Sequence, residues 1–292
     1  MTFLDLSILA ATALFAPLPA ALWGLRRAAA ARSRYRLLEV LGEGGMGTVR
    51  RGWDAVGRRP VAVKRLRREL RAEPRQHERL LEEAAAVAAL RHPNVVALRD
   101  VVVDEDGAQL VFEFVAGRTL HAELDAAPGR RLPPARALGV LGQAAAAVDH
   151  AHARGVIHRD LKPANLMIDA GGRVKVLDFG VARLARDARR VIVGTPAYRA
   201  PEQERGDDAP ASDQYALAAS FYEMLCGEPP FPGEGGLEAK LASRFTPPSA
   251  LRPELSPELD AVLARALHPR PARRFPSARA LHLAAADAVK TW

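Results

Sequence analysis

Residues 158–165 read "HRDLKPAN". Asp160, Lys162 and Asn165 sit within six positions of one another, with a proline between the lysine and the amide. An ordinary surface loop has no need of that order. A site that handles a phosphate, a metal ion and a proton does: an acid takes the proton, an ammonium faces the phosphate, and an amide oxygen reaches the metal.

Working outward, four weaker motifs flank this one in a fixed order. "GEGGMGTV" at 42–49 carries Gly42, Gly44 and Gly47 in a G-x-G-x-x-G-x-V pattern. Glycines let backbone N–H groups approach phosphate oxygens without a side chain between them. A dinucleotide-binding fold would follow such a motif with a helix, whereas here a strand pattern follows. "VAVK" then ends on Lys64, seventeen residues beyond Gly47. Only five of the 42 basic residues are lysine (Lys64, Lys162, Lys175, Lys240 and Lys290), so each stands out in an arginine-rich chain. A compact ammonium suits phosphate contact as a point charge and needs an acid to orient it. Glu83 is the candidate for that acid, ahead of Glu82. "LDFG" at 177–180 puts Asp178 at a strand end with Gly180 to turn the chain. Asn165 and Asp178 are then two oxygen donors able to converge across one short strand pair.

Patterning supplies the frame. "YRLLEVLG", "GTVRRGWD" and "RPVAVKRL" between 35 and 66 carry β-formers separated by turn residues. Residues 75–90 form an apolar-periodic helix that stops before His92-Pro93. "NVVALRDVVV" and "AQLVFEFV" read as two further strands around the turn "DEDG". Beyond Gly117 helices dominate: 134–154 closed by Gly155, then 213–226, 236–244, 257–267 and 277–289. Two short strands, "NLMID" and "RVKVLDFG", interrupt them. Ser256-Pro257-Glu258 and Ser277 are helix starts. The fold class is α+β: a β-rich lobe with one main helix, then a mainly helical lobe.

Composition narrows the function. The net charge is +8, with basic residues scattered and no aromatic-interleaved basic stripe, so no nucleic-acid partner is expected. Cys226 is the one cysteine and reads as a small buried hydrophobe. Residues 6–25, "LSILAATALFAPLPAALWGL", carry no charge and are followed by arginines. As a helix they would span about 30 Å, the thickness of a bilayer core. The expectation is a single-pass anchor with the rest of the chain on the cytoplasmic side. A soluble helical extension, with a cytoplasmic protein, stays open beside it.

Together the motifs, with "APE" at 200–202, resemble the eukaryotic-like protein kinase family over residues 35–290. "HPNVV" and "PEQ" are similar to its bacterial serine/threonine branch. The resemblance implies a bilobal kinase fold: an anchor and juxtamembrane segment over 1–34, an N-lobe over 35–115 and a C-lobe over 116–292. It implies ATP and Mg²⁺, and protein substrates bearing Ser or Thr. Asp160 would accept the hydroxyl proton, Asn165 and Asp178 would hold Mg²⁺, and Lys64, oriented by Glu83, would bind phosphates. Lys162 would stabilise the transferring group. Leu41, Gly42, Glu43, Gly44, Gly45, Met46 and Gly47 would form the loop over the phosphates. Adenine would lie between Val49 and Ala62 on one side and Met167 on the other, against the hinge Glu113–Val115. Phe112 would guard the back of that pocket.

Glu202 would pair with Arg274, Asp213 would hold the catalytic loop, and Thr195 would bridge Asp160 and Lys162. Lys162 and Thr195 imply serine/threonine specificity. A pseudokinase scaffold is the alternative, and a small-molecule kinase a third reading. A homodimer is left open. Residues 181–194 contain no Ser, Thr or Tyr. Switching by phosphorylation there is therefore not expected, and Asp187 or an acidic partner would have to balance Arg159.

Overall fold

The structure is a computed structural model and describes residues 34–44, 47–66, 82–104, 107–179, 195–232 and 236–290. The proposed anchor at 6–25, Gly45, Met46, Gly180 and Asp187 lie outside the described residues. Among those described, no helix is long and apolar enough to cross a membrane.

The first lobe is a five-stranded antiparallel sheet in the order β1-β2-β3-β5-β4. Its strands are β1 (Tyr35–Gly44), β2 (Gly47–Asp54), β3 (Arg59–Leu66), β4 (Leu98–Asp104) and β5 (Gly107–Glu113). Period-two alternation decides what each face of β3 does. Val61 and Val63 join Tyr35, Val102 and Val111 in a small cluster on one face. Ala62, Lys64 and Leu66 take the other face, where Leu66, Leu110 and Phe112 belong to the main core. Register sets Val49 opposite Lys64 and Ala62 opposite Phe112. Of the expected helix 75–90, residues 75–81 lie outside the described residues; α1 is helical over 82–88 and packs Ala84 and Val87 into that core.

"NVVALRDVVV" does not form one strand. β4 starts at Leu98, and residues 94–96 are fastened instead to the other lobe. Val96 N–H donates to Val176 O at 3.0 Å and Val176 N–H to Asn94 O at 2.8 Å. The Asn94 side chain adds a bond to Val174 O at 2.8 Å. Val96 N–H is thus satisfied by the other lobe, and the Asn94 and Val95 N–H groups by His92, so none of them is available to extend β4.

The second lobe opens with β6 (Gly117–Thr119) and α2 (Leu120–Ala126), which Thr119 caps by accepting from Ala122 N–H. Then come α3 (Pro134–His152), β7 (Leu166–Asp169), β8 (Val174–Val176) and α4 (Pro210–Cys226). The chain finishes through α5 (Gly236–Leu241), α6 (Pro248–Leu251), α7 (Pro257–Ala266) and α8 (Ala278–Lys290). Every residue from Ser212 to Cys226 is buried, so α4 is the axis of the lobe. Cys226 is a buried free thiol, pushed up to about 11 chiefly by burial, and is inert in that state.

The expected helix starts are present. Ser256 accepts from Leu259 N–H and Ser277 from Ala280 N–H. Asp149 on α3 accepts from Ala278 and Arg279 N–H, both at 2.9 Å, and so caps α8 from a neighbouring helix. Gly155 takes the left-handed conformation, φ 73°, that ends the α3 segment.

Candidate active site

The β7–β8 hairpin brings the two expected oxygen donors together. Leu166 pairs with Val176, so Asn165 and Leu177 face each other one step further, with Leu177 N–H donating to Asn165 O at 2.9 Å. Asp178 follows at once. Its backbone is left-handed, φ 59°, an uncommon state for a non-glycine residue that persists only where the surroundings hold it.

His158 is one such support. It is fully buried and its ring stands edge-on to Phe179 at 4.8 Å. Its Nε2 lies 2.6 Å from Leu177 O, and its Nδ1 accepts from Asp160 N–H at 3.3 Å. A carbonyl only accepts, so the hydrogen sits on Nε2 and the ring links the Asp160 loop to the Asp178 strand.

Asp213, at the start of α4, anchors the same loop from below. It accepts from His158 N–H at 2.7 Å and Arg159 N–H at 2.8 Å, with His152 Nε2 at 2.7 Å. Burial pushes its carboxyl up, but the bonds from His152 and from the His158 amide outweigh this and hold it below the usual carboxylate range.

Asp160 is gripped on both oxygens. Oδ1 accepts from Thr195 N–H at 3.1 Å and from its hydroxyl at 3.4 Å. Oδ2 meets Lys162 Nζ at 2.9 Å and Asn165 Nδ2 at 3.3 Å. Lys162 Nζ also donates to Thr195 Oγ1 at 2.7 Å, the expected bridge. Asn165 Nδ2 donates to Asp160 O at 2.7 Å, which turns the amide nitrogen into the loop and its oxygen away from it.

Lys64 reaches this group from the other lobe. Its ammonium is buried and donates to Asp178 Oδ2 at 2.7 Å. Glu83 is half-buried on α1. Of the expected nucleotide-contacting residues, Leu41, Gly42 and Glu43 are exposed on β1, and Val49, Ala62, Val115 and Met167 are half-buried. Phe112 is buried beside Ala62. Gly44 pairs with Gly47, closing the β1–β2 hairpin.

Among the described residues no cluster of three or more His, Cys, Asp or Glu is placed to hold a metal. The available donors are the Asn165 amide oxygen and the second Asp178 oxygen. Two hard oxygens fit Mg²⁺, which keeps waters and shares phosphate oxygens rather than filling an all-protein cage.

A buried ion pair lies alongside. Arg274 grips Glu202 through NH1 at 2.7 Å and NH2 at 2.8 Å, as expected, and both are buried. Burial alone would raise the Glu202 carboxyl, but the Arg274 bonds and charge hold it below the usual range.

Several contributors are not visible in the sequence motifs. Buried Lys240 on α5 donates to Arg199 O at 2.8 Å and to Pro196 O, so it fastens the segment after Thr195. Burial lowers its pKa to about 8. Tyr198 donates to Glu223 at 2.6 Å. Lys175 on β8 pairs with Glu113 at the end of β5, a strut behind the hinge. The available signal was the scarcity of lysine: four of the five, Lys64, Lys162, Lys175 and Lys240, hold a carboxylate or backbone carbonyls.

Comparison with known proteins agrees with the geometry. The family described as protein kinase domain matches residues 35–284. The chain is 40% identical over 258 residues to serine/threonine-protein kinase PknB of Mycobacterium leprae, covering 84% of this chain and 41% of that protein. Against serine/threonine-protein kinase PksC of Streptomyces coelicolor it is 39% identical over 270 residues, covering 87% and 48%. The crystal structure of the Mycobacterium tuberculosis PknI kinase domain superposes with a TM-score of 0.74 at 30% identity, covering 88% of this chain and 96% of that one. The chain therefore belongs to the protein kinase family, in its bacterial serine/threonine branch. It spans less than half the length of those curated relatives.

Proposed function

We propose that this chain transfers the γ-phosphoryl group of ATP to Ser and Thr hydroxyls of proteins. The observation that carries this reading is one unbroken network. It runs from Lys64 through Asp178 and Leu177 to Asn165, then to Asp160, Lys162 and Thr195.

Asp160 has its carboxylate fixed by Thr195, Lys162 and Asn165 and takes the proton of the incoming hydroxyl. Lys162, 2.9 Å from that carboxylate, places a positive charge where the transferring group passes. Lys64 exchanges part of its contact with Asp178 for phosphate oxygens, with Glu83 steering it from α1. Asn165 and Asp178 would hold Mg²⁺, which would supply charge neutralisation at the phosphates. The β1–β2 hairpin with Gly42, Gly44, Gly45 and Gly47 covers the phosphates. Val49, Ala62, Phe112, Met167 and the hinge Glu113–Val115 enclose the base.

A pseudokinase would have shed Lys64, Asp160 or Asp178, and all three are present and engaged. The Glu202–Arg274 scaffold argues for a protein substrate over a small molecule.

Residues 6–25 are proposed as a single-pass anchor that leaves the kinase lobes in the cytoplasm. Membrane fractionation with and without residues 1–34 tests this, and equal solubility removes it. For the activity, Mg·ATP transfer to a generic protein acceptor is compared with Asp160→Asn. The variant is expected to lose about 10²- to 10⁴-fold in kcat, the range for a positioned base. Product analysis should give phosphoserine and phosphothreonine only. Transfer that survives the substitution, or phosphotyrosine as the product, refutes the reading.

A further inference from the structure

Arg159 carries a cation next to the catalytic aspartate, in a loop where little water reaches it. Its side chain is 12% exposed. A charge that is mostly desolvated has to be paired. In this family the counter-charge expected from the motif is a phosphate on the segment after the Asp178 motif. Residues 181–194 offer no hydroxyl to carry one. The next hydroxyl, on Thr195, is already bound by Lys162 at 2.7 Å and lies 3.4 Å from Asp160.

The pairing comes from elsewhere. Arg159 Nε donates to Asp208 Oδ2 at 3.0 Å, and the Asp208 side chain is 9% exposed. A second guanidinium nitrogen donates to Ile157 O at 3.2 Å. Gln203 joins the two ends: its amide nitrogen lies 3.4 Å from Asp208 Oδ1 and 3.2 Å from Arg159 O. Gln203 is itself oriented by Ala200 N–H, which donates to its oxygen at 3.0 Å.

The placement of Asp208 comes from the scaffold. The turn Pro201–Arg205 ends at Gly206, which is left-handed with φ 84°. Asp207 N–H then donates back to Glu202 O at 3.2 Å. Glu202 is pinned by Arg274. The carboxylate is thus tied, through Gly206 and Glu202, to the buried part of the large lobe.

We infer that Asp208 is the permanent counter-ion of Arg159. It is a positioning residue that holds the Asp160 loop in working geometry without any phosphate on residues 181–194. This rests on the kinase reading above. A phosphate would bring about −1.5 to −2 charge, and only after modification. The Asp208 carboxylate brings its charge as soon as the chain folds. Arg159 has a left-handed backbone, φ 73°, held by Asp213 on one side and Gln203 on the other. Without Asp208 the buried guanidinium has no carboxylate partner among the described residues. Its escape to water pulls on the backbone one residue before Asp160. A misplacement of about 1 Å at a catalytic group costs on the order of 10²-fold in rate.

The test uses the full chain and measures kcat and KM for Mg·ATP. Wild type, Asp208→Asn, Asp208→Glu and the double variant Arg159→Gln/Asp208→Asn are each treated with a Ser/Thr phosphatase, which is removed before assay. Wild type is expected to keep its kcat within about 2-fold after treatment, whereas Asp208→Asn loses about 10- to 100-fold with KM for ATP within about 3-fold. Asp208→Glu should recover most of the loss. The double variant should exceed Asp208→Asn, because no unpaired cation is left. A purely structural defect would lower the melting temperature and raise KM together, without rescue by the second substitution. If Asp208→Asn does not fold, Asp208→Glu against the double variant carries the comparison, with Asp208→Glu expected to be the faster.

The inference is overturned if phosphatase treatment silences wild type. It is equally overturned if treated Asp208→Asn matches wild type, or if the double variant equals Asp208→Glu. Absence of transfer by wild type before any treatment removes the kinase reading itself, and this inference with it.

Discussion

Replacing Arg274 with methionine removes one half of a buried ion pair. The structure allows the cost to be worked out. Arg274 is 4% and Glu202 4% exposed as whole residues, so neither charge is rescued by water in place. The guanidinium makes two bonds to the carboxylate, and further bonds to His268 O at 2.8 Å, Ala211 O at 2.9 Å and Pro269 O at 3.3 Å. Methionine fills the stem volume but leaves Glu202 with only Ser212 Oγ, at 2.8 Å, among its side-chain partners here. An uncompensated buried charge of this kind costs about 3–5 kcal/mol. For a domain of this size that is a fall of about 6–20 °C in Tm. Circular dichroism at pH 7, with a denaturant midpoint as a second measure, checks it.

The pairing also sets a pH dependence. The folded carboxyl of Glu202 lies below its ordinary range, so its contribution is complete above the unfolded value near 4.5 and is lost as pH falls through the folded one. Arg274→Met should therefore lose less stability than wild type between about pH 5 and 3. The double variant Glu202→Met/Arg274→Met should recover most of the Tm, since an apolar pair replaces two desolvated charges. A Tm change under about 2 °C for Arg274→Met would refute the reasoning. So would a double variant as unstable as the single one, because the cost would then not come from the stranded carboxylate.

Two further predictions concern the site. Thr195→Val removes the hydroxyl between Lys162 and Asp160 and should lower kcat by about 10-fold with KM for ATP nearly unchanged, whereas Thr195→Ser keeps the activity; steady-state kinetics on both variants decides it. Gly47→Ala should raise KM for ATP by at least about 10-fold, because at φ 147° an added Cβ collides with the carbonyl oxygen of Arg65 and the β1–β2 hairpin must shift; a KM equal to wild type would remove the hairpin from phosphate binding.

Much of the frame was legible in residue order because it depends on near neighbours. Alternation in "RPVAVKRL" put Lys64 and Ala62 on one face whatever else the chain did. The Ser256-Pro257 and Ser277 starts depend on bonds three residues away. The proposed catalytic group was legible for a related reason: Asp160, Lys162 and Asn165 lie within six residues, and the proposed chemistry needs those types at that spacing. Where local reading failed, a distant partner had intervened. "NVV" has strand composition, but its backbone bonds go to Val176 in the other lobe, 80 residues on.

What the chain alone could not decide is which charge meets which. "GDDAPASD" reads as a polar turn before a helix, and nothing in it marks Asp208 as the partner of an arginine 49 positions earlier. Lys240 likewise looks like a solvated residue of a short helix until the fold buries it against the carbonyls of Arg199 and Pro196. The order and spacing of the motifs pointed to the family, the order of elements and the proposed reacting residues. Tertiary structure decided the supports, because an electrostatic partner is selected by distance and desolvation in space, and both come into being only when the chain has folded.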